Sequence, residues 1–133
     1  MKHDSSIIRG FSILELLAVV VTMSVLLALG GTMFLSATAD ARSKECRANM
    51  QTIANLEEQY RIKNSAHSYT TTLSNLNSTG STIPICPNGG TYTITISTGT
   101  ATAQNGQTVP SGGLVISCSV SGHGKFAPGY DTY

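Results

Sequence analysis

Few side chains in this sequence carry chemistry, and they are widely spaced. Cys46, Cys86 and Cys118 are its three thiols. Thiols pair as disulfides in oxidising compartments, or bind soft metals as thiolates. His67 and His123 stand singly, and no Cys-x-x-Cys or His-x-x-x-His spacing offers a metal two ligands from one local element. The spacing therefore predicts no metal and no cofactor. Past the helix start, the acids are Asp40, Glu45, Glu57, Glu58 and Asp131. None falls into a Ser/His/Asp set that would activate a nucleophile, so no catalytic residue and no enzyme are expected. The plentiful Ser and Thr read as exposed strand and loop positions. Glu15 is the anomaly, because it lies just inside an apolar run. A carboxylate at mid-membrane costs roughly 2.5–3.5 kcal/mol, and less near the interface. No cation lies within two helical turns C-terminal to it.

The apolar run is the element that holds Glu15. Leu16 to Ala39 has no formal charge over 24 residues. About 20 apolar helical residues span the hydrocarbon core of a bilayer. A chain of 133 residues has little with which to cover such a helix on all sides. A cleaved secretory signal has a shorter apolar core followed by a small-residue site; Ser36-Ala37-Thr38-Ala39 is the nearest match, but this run is longer. Lys2 and Arg9 precede the run and favour a cytoplasmic start, with Arg42, Lys44 and Arg47 competing after it. The net charge of +1 and the absence of a basic stripe from Asp40 onward argue against direct nucleic-acid binding.

Beyond the run, the helix can continue to Lys63. Cys46, Met50, Ile53, Leu56 and Tyr60 fall on one face of a 3.6-residue period, an apolar stripe that needs a cover. Phe11 to Lys63 would form one helix of about 80 Å at 1.5 Å per residue, with Gly30-Gly31 as its weak point. Residues 64–84 read as an irregular linker with a short helical turn at Thr72–Leu76. Tyr92, Ile94 and Ile96 then alternate with Thr and Ser. Leu114, Ile116, Cys118 and Val120 do the same, with Val115 breaking the polar side. The pattern predicts an antiparallel sheet of two to four short strands packed on the helical stripe. The fold class is therefore α+β.

Arg9-Gly10-Phe11-Ser12-Ile13-Leu14-Glu15-Leu16-Leu17 resembles the processing site of type IV prepilins and related pseudopilins. The family pattern is a short basic leader ending in Gly, then Phe, then an apolar helix with Glu at the fifth mature position. The resemblance covers about 30 residues and is specific in order and position. It implies a pilin-like fold: a long N-terminal helix, membrane-spanning in its first half, packed against a small β-sheet head. It implies a leader at residues 1–10, a membrane and filament-core helix at 11–35, its amphipathic continuation at 36–63, and a head domain at 64–133. It implies cleavage between Gly10 and Phe11 by a membrane prepilin peptidase, and N-methylation of Phe11. The new amine would lie four residues from Glu15. In a filament of parallel helices, Glu15 would meet a neighbour's Phe11 amine and set the axial register.

The resemblance makes the chain a structural subunit of a type IV pilus or pilus-like filament, a homo-oligomer assembled from the inner membrane by an assembly platform and cytoplasmic ATPases. It would be found as a single-pass membrane prepilin and then as a surface or periplasmic filament. The alternatives are a pseudopilin of type II secretion or competence, and a monomeric membrane-tethered binding module. The calcium site of many major secretion pseudopilins uses acidic C-terminal residues, and only Asp131 is available here. Outside the cytoplasm, a Cys86–Cys118 disulfide would close a loop of about 32 residues, worth about 3.7 kcal/mol in the chain-entropy model. The spacing Cys-Pro-x-Gly-Gly-x-Tyr, then Cys-x-x-x-Gly-His-Gly, resembles a subset of bacterial prepilin-like proteins that also carry a helical Cys. Cys46 reads as a buried thiol, a bridging partner for Cys86 or Cys118, or an intersubunit bridge. The sequence leaves this connectivity open.

Overall fold

The computed structural model describes residues 10–80 and 82–131. The leader expected at residues 1–10 lies outside these, apart from Gly10. Among the described residues, the elements are a helix α1 (Ile13–Lys63), a 3-10 helix (Leu73–Thr79) and three strands, β1 (Tyr92–Ile96), β2 (Leu114–Cys118) and β3 (Lys125–Phe126). The chain divides into two compact units, Met1–Thr38 and Ala39–Tyr133.

In the first unit, the Ser12 carbonyl accepts the N–H groups of Glu15 (3.0 Å) and Leu16 (3.1 Å), which opens the helix. Ser12-x-x-Glu15 has the spacing of a capping box, and an acid in the first turn suits the helix dipole. The apolar side chains point out on every side: Phe11 is 79% exposed and Phe34 69%. Four hydroxyls turn inward to their own helix instead. The hydroxyls of Thr22, Ser24, Ser36 and Thr38 donate to the carbonyls of Val19, Val20, Met33 and Leu35 at 2.7–3.0 Å. This satisfies them without water. Among the described residues, no single unbent helical segment is long and apolar enough to cross a membrane, because α1 bends between Ala28 and Met33. Ile13–Ala28 and Met33–Lys63, broken between them where Gly30 and Gly31 fall, have that length and composition together.

In the second unit, the helix buries the face that the 3.6-residue spacing marks. Cys46, Met50, Ile53, Ala54 and Leu56 form one core with Leu76, Tyr92, Ile94, Leu114, Ile116 and Phe126. The sheet that covers this stripe is antiparallel, in the order β1-β2-β3. Its register sets Tyr92 opposite Cys118 and Ile94 opposite Ile116. Period-2 alternation puts Tyr92 and Ile94 on the helix side of β1, while Thr93 and Thr95 face out.

Three details differ from the sequence expectations. The sheet's other face is covered in part: Val115, which interrupts the polar side of β2, buries against Ala103, Val109 and Ala127. The helical turn within the linker is longer, Leu73–Thr79, and of the tighter 3-10 type. Thr100-Ala101-Thr102-Ala103, whose composition allows an extension of β1 or a short strand of its own, forms only an isolated bridge, Thr102 to Thr108. The connection is held instead by Asp131, whose carboxylate accepts the N–H groups of Gln104 (3.1 Å), Asn105 (3.2 Å) and Ala127 (2.8 Å).

Candidate functional site

Four segments of the second unit converge on one point. Cys46 comes from the apolar stripe of α1. Cys86 comes from the Ile85-Cys86-Pro87-Asn88-Gly89-Gly90 loop, which turns tightly as the Gly89 N–H reaches the Cys86 carbonyl at 2.9 Å. Cys118 closes β2, and its N–H donates to the Gly124 carbonyl at 3.2 Å. His123 sits in the turn between β2 and β3, closed by its own N–H to the Val120 carbonyl at 3.2 Å. The helix holds both loops in place. Asn49 Nδ2 donates to the Ile85 carbonyl at 3.0 Å, and Ser43 Oγ to the Gly122 carbonyl at 3.3 Å.

The four ligand-type atoms all lie within 4.8 Å of one another. Cys86 Sγ is 3.3 Å from His123 Nδ1 and 3.6 Å from Cys118 Sγ, and Cys118 Sγ is 3.7 Å from the same Nδ1. Cys46, Cys86 and His123 are buried, while Cys118 is half-buried and gives the cluster its access. A second ring of polar groups surrounds them. The Tyr92 hydroxyl donates to Cys46 Sγ at 3.5 Å, and the Asn88 side-chain amide lies 3.1 Å from His123 Nε2. Gly90 must lack a side chain. A Cβ there would stand 2.6 Å from Val120 Cγ2 and 2.9 Å from Cys118 Sγ.

The thiols are not equivalent. Burial pushes Cys46 up to about 12, against the Tyr92 hydrogen bond, and its neighbours Cys118 and Cys86 push the same way. Burial also opposes the Cys86 thiolate. The backbone N–H groups of Asn88 and Gly90, with the Cys118 and Cys46 thiols, outweigh it and bring Cys86 below its ordinary value. The cluster thus has the chemistry either to bond two of its thiols or to hold a thiophilic metal.

This arrangement corrects two expectations. The sequence leads one to expect no metal site, because no two ligands share a local motif, and no enzyme, because no Ser/His/Asp set is present. The fold supplies the missing proximity from four separate segments, and Cys46, Cys86, Cys118 and His123 together form a group able to hold a metal ion and its chemistry. His123, read as single in the sequence, is central to it. Cys86 and Cys118, expected to form a disulfide, stand as free thiols 3.6 Å apart, with Cys46 in the same cluster. Gly10, Phe11 and Glu15 belong to the other unit, Gly10 and Phe11 exposed just before the helix and Glu15 exposed in its first turn.

Sequence reading also missed Glu57, counted among the ordinary acids but fully buried. Its Oε2 accepts the Thr70 N–H at 3.0 Å, and its Oε1 has no hydrogen-bond partner among the described residues. Beside it, Glu58 accepts from Arg61 and from the Tyr69 hydroxyl at 2.9 Å. Arg61 also stacks 5.2 Å from the centre of the Tyr69 ring, which fastens the linker to the helix end.

Comparison with known proteins returned no match: no family model, no curated protein and no solved structure matches this chain.

Proposed function

We propose that this protein is a structural subunit of a type IV pilus or pilus-like filament, polymerised through its N-terminal helix. The observation that carries the reading is the pairing of the Arg9-Gly10-Phe11…Glu15 motif with a helix that leaves its apolar side chains uncovered. Such a surface requires lipid or other helices around it. The inward-turned hydroxyls of Thr22, Ser24, Ser36 and Thr38 suit either setting. In the membrane, the apolar helix holds the subunit before assembly. In the filament, the same surface packs against neighbouring helices.

Cleavage after Gly10 would leave an ammonium group on Phe11, and N-methylation would preserve its charge. Glu15 of one subunit would accept that charge from another. Correct register pairs the two charges, and a shifted register leaves both unpaired in an apolar core. Breaking a buried pair on one side costs about 3–5 kcal/mol, enough to select one register. On this proposal the α+β head is pilin-like, a small sheet packed on the second half of the long helix.

Replacing Gly10 by a bulky residue tests the processing step. N-terminal analysis of the Gly10→Val chain should find the leader retained. Efficient production of a mature chain starting at Phe11 in that variant would refute the site.

A further inference from the structure

We propose that Cys46, Cys86, Cys118 and His123 form a tetrahedral zinc site that ties the head domain together. The reading rests on geometry independent of the filament assignment. With Zn–S near 2.3 Å and Zn–N near 2.0–2.1 Å, tetrahedral ligands lie about 3.8 Å apart for two sulfurs and about 3.6 Å for sulfur and nitrogen. The three edges among Cys86, Cys118 and His123 Nδ1 measure 3.3, 3.6 and 3.7 Å. Cys46 Sγ, within 4.8 Å of each, completes the set with a small inward shift.

The surroundings have the form that metal ligands need. A liganding histidine is oriented through its other ring nitrogen. With His123 bound through Nδ1, its Nε2–H points at the Asn88 side-chain amide, whose oxygen accepts it when the amide is turned that way. Three thiolates against one dication leave a net charge of −1, so nearby donors are needed. The N–H groups of Asn88 and Gly90 point at Cys86, and the Tyr92 hydroxyl points at Cys46. On binding, the three thiol protons go to solvent. A Cys86–Cys118 disulfide would use two of the four groups, leaving Cys46 a buried lone thiol and His123 with no role. The metal uses all four. It would fasten α1, the Cys86 loop, β2 and the His123 turn, four segments of a head with few large apolar side chains.

The test uses the full chain, extracted in detergent from its native membrane without reductant. Metal content by mass spectrometry, thiol titration after denaturation with chelator, and the spectrum after Co2+ exchange are measured together. The proposal expects about one zinc per chain, three titratable thiols, and the intense visible bands of tetrahedral thiolate-bound Co2+. Cys118→Ser should abolish or strongly weaken binding. His123→Cys is the second variant and guards against a folding defect in the first: it should keep about one metal and shift the Co2+ spectrum toward an all-sulfur set. Tyr92→Phe and Asn88→Ala should each lower zinc affinity by about tenfold. A metal-free chain, whether with three free thiols or with one thiol and a Cys86–Cys118 disulfide, would overturn the proposal. So would a bound zinc whose Co2+ spectrum is unchanged in His123→Cys. None of these outcomes bears on cleavage at Gly10 or on assembly.

Discussion

Two carboxylates carry opposite kinds of information. Glu57 is buried, and burial pushes its carboxyl above the ordinary value, with the Thr70 N–H opposing it in part. A raised folded-state value favours the protonated form. Its contribution is fully present below the unfolded carboxyl range and is lost as pH rises through the folded value. Glu57→Gln keeps that neutral form at every pH and can still accept the Thr70 N–H. The variant is expected to match or exceed the parent at neutral pH, with the gain shrinking toward acid; thermal unfolding of the two chains, compared at each pH, measures it. A gain that stayed constant with pH would show that Glu57 does not titrate with folding. Glu15 is a first-turn acid with capping-box spacing, so its loss could weaken the helix start as well as an intersubunit pair. Glu15→Gln separates the two, because Gln serves the capping box but carries no charge. The filament reading expects Glu15→Gln to be processed normally and to assemble poorly. Normal filament yield on electron micrographs would remove the register role.

At the scale of elements, what the sequence revealed depended on repetition. The Cys46–Tyr60 stripe returns every three or four residues, and Tyr92–Ile96 alternates every second one, so both surfaces could be assigned in advance. Strand β3 has two residues, too few for any period, and exists because Ile116 and Ser117 pair with Phe126 and Lys125. The Cys/His cluster escaped for a related reason. Its members come from a helix, a loop, a strand end and a turn, and each alone resembles an ordinary buried thiol or a lone imidazole. The one local signal was Gly90 within Cys86-Pro87-Asn88-Gly89-Gly90, where backbone must pass over sulfur. Gly90→Ala forces its Cβ onto Val120 and Cys118. It is expected to destabilise the head by about 1–3 kcal/mol, measured by denaturant unfolding. Asp131 does similar service at the opposite connection, and Asp131→Ala, which strands three N–H donors, should cost about 2 kcal/mol in the same assay.

Considered whole, the molecule joins units with opposite surfaces. The first keeps its hydrogen bonds to itself and shows its apolar side chains outward. The second buries one face of its sheet and part of the other, and gathers its thiols inside. Under the proposed filament function, the head would stay in water while the helix passes from lipid to a helical assembly. A filament subunit of this kind would carry a specific covalent product in a specific place. Mass spectrometry of filaments sheared from native cells, set against the membrane pellet, tests this most directly. The account predicts a chain that begins at N-methylated Phe11 in the assembled material. A chain that still begins at Met1 in both fractions would contradict it.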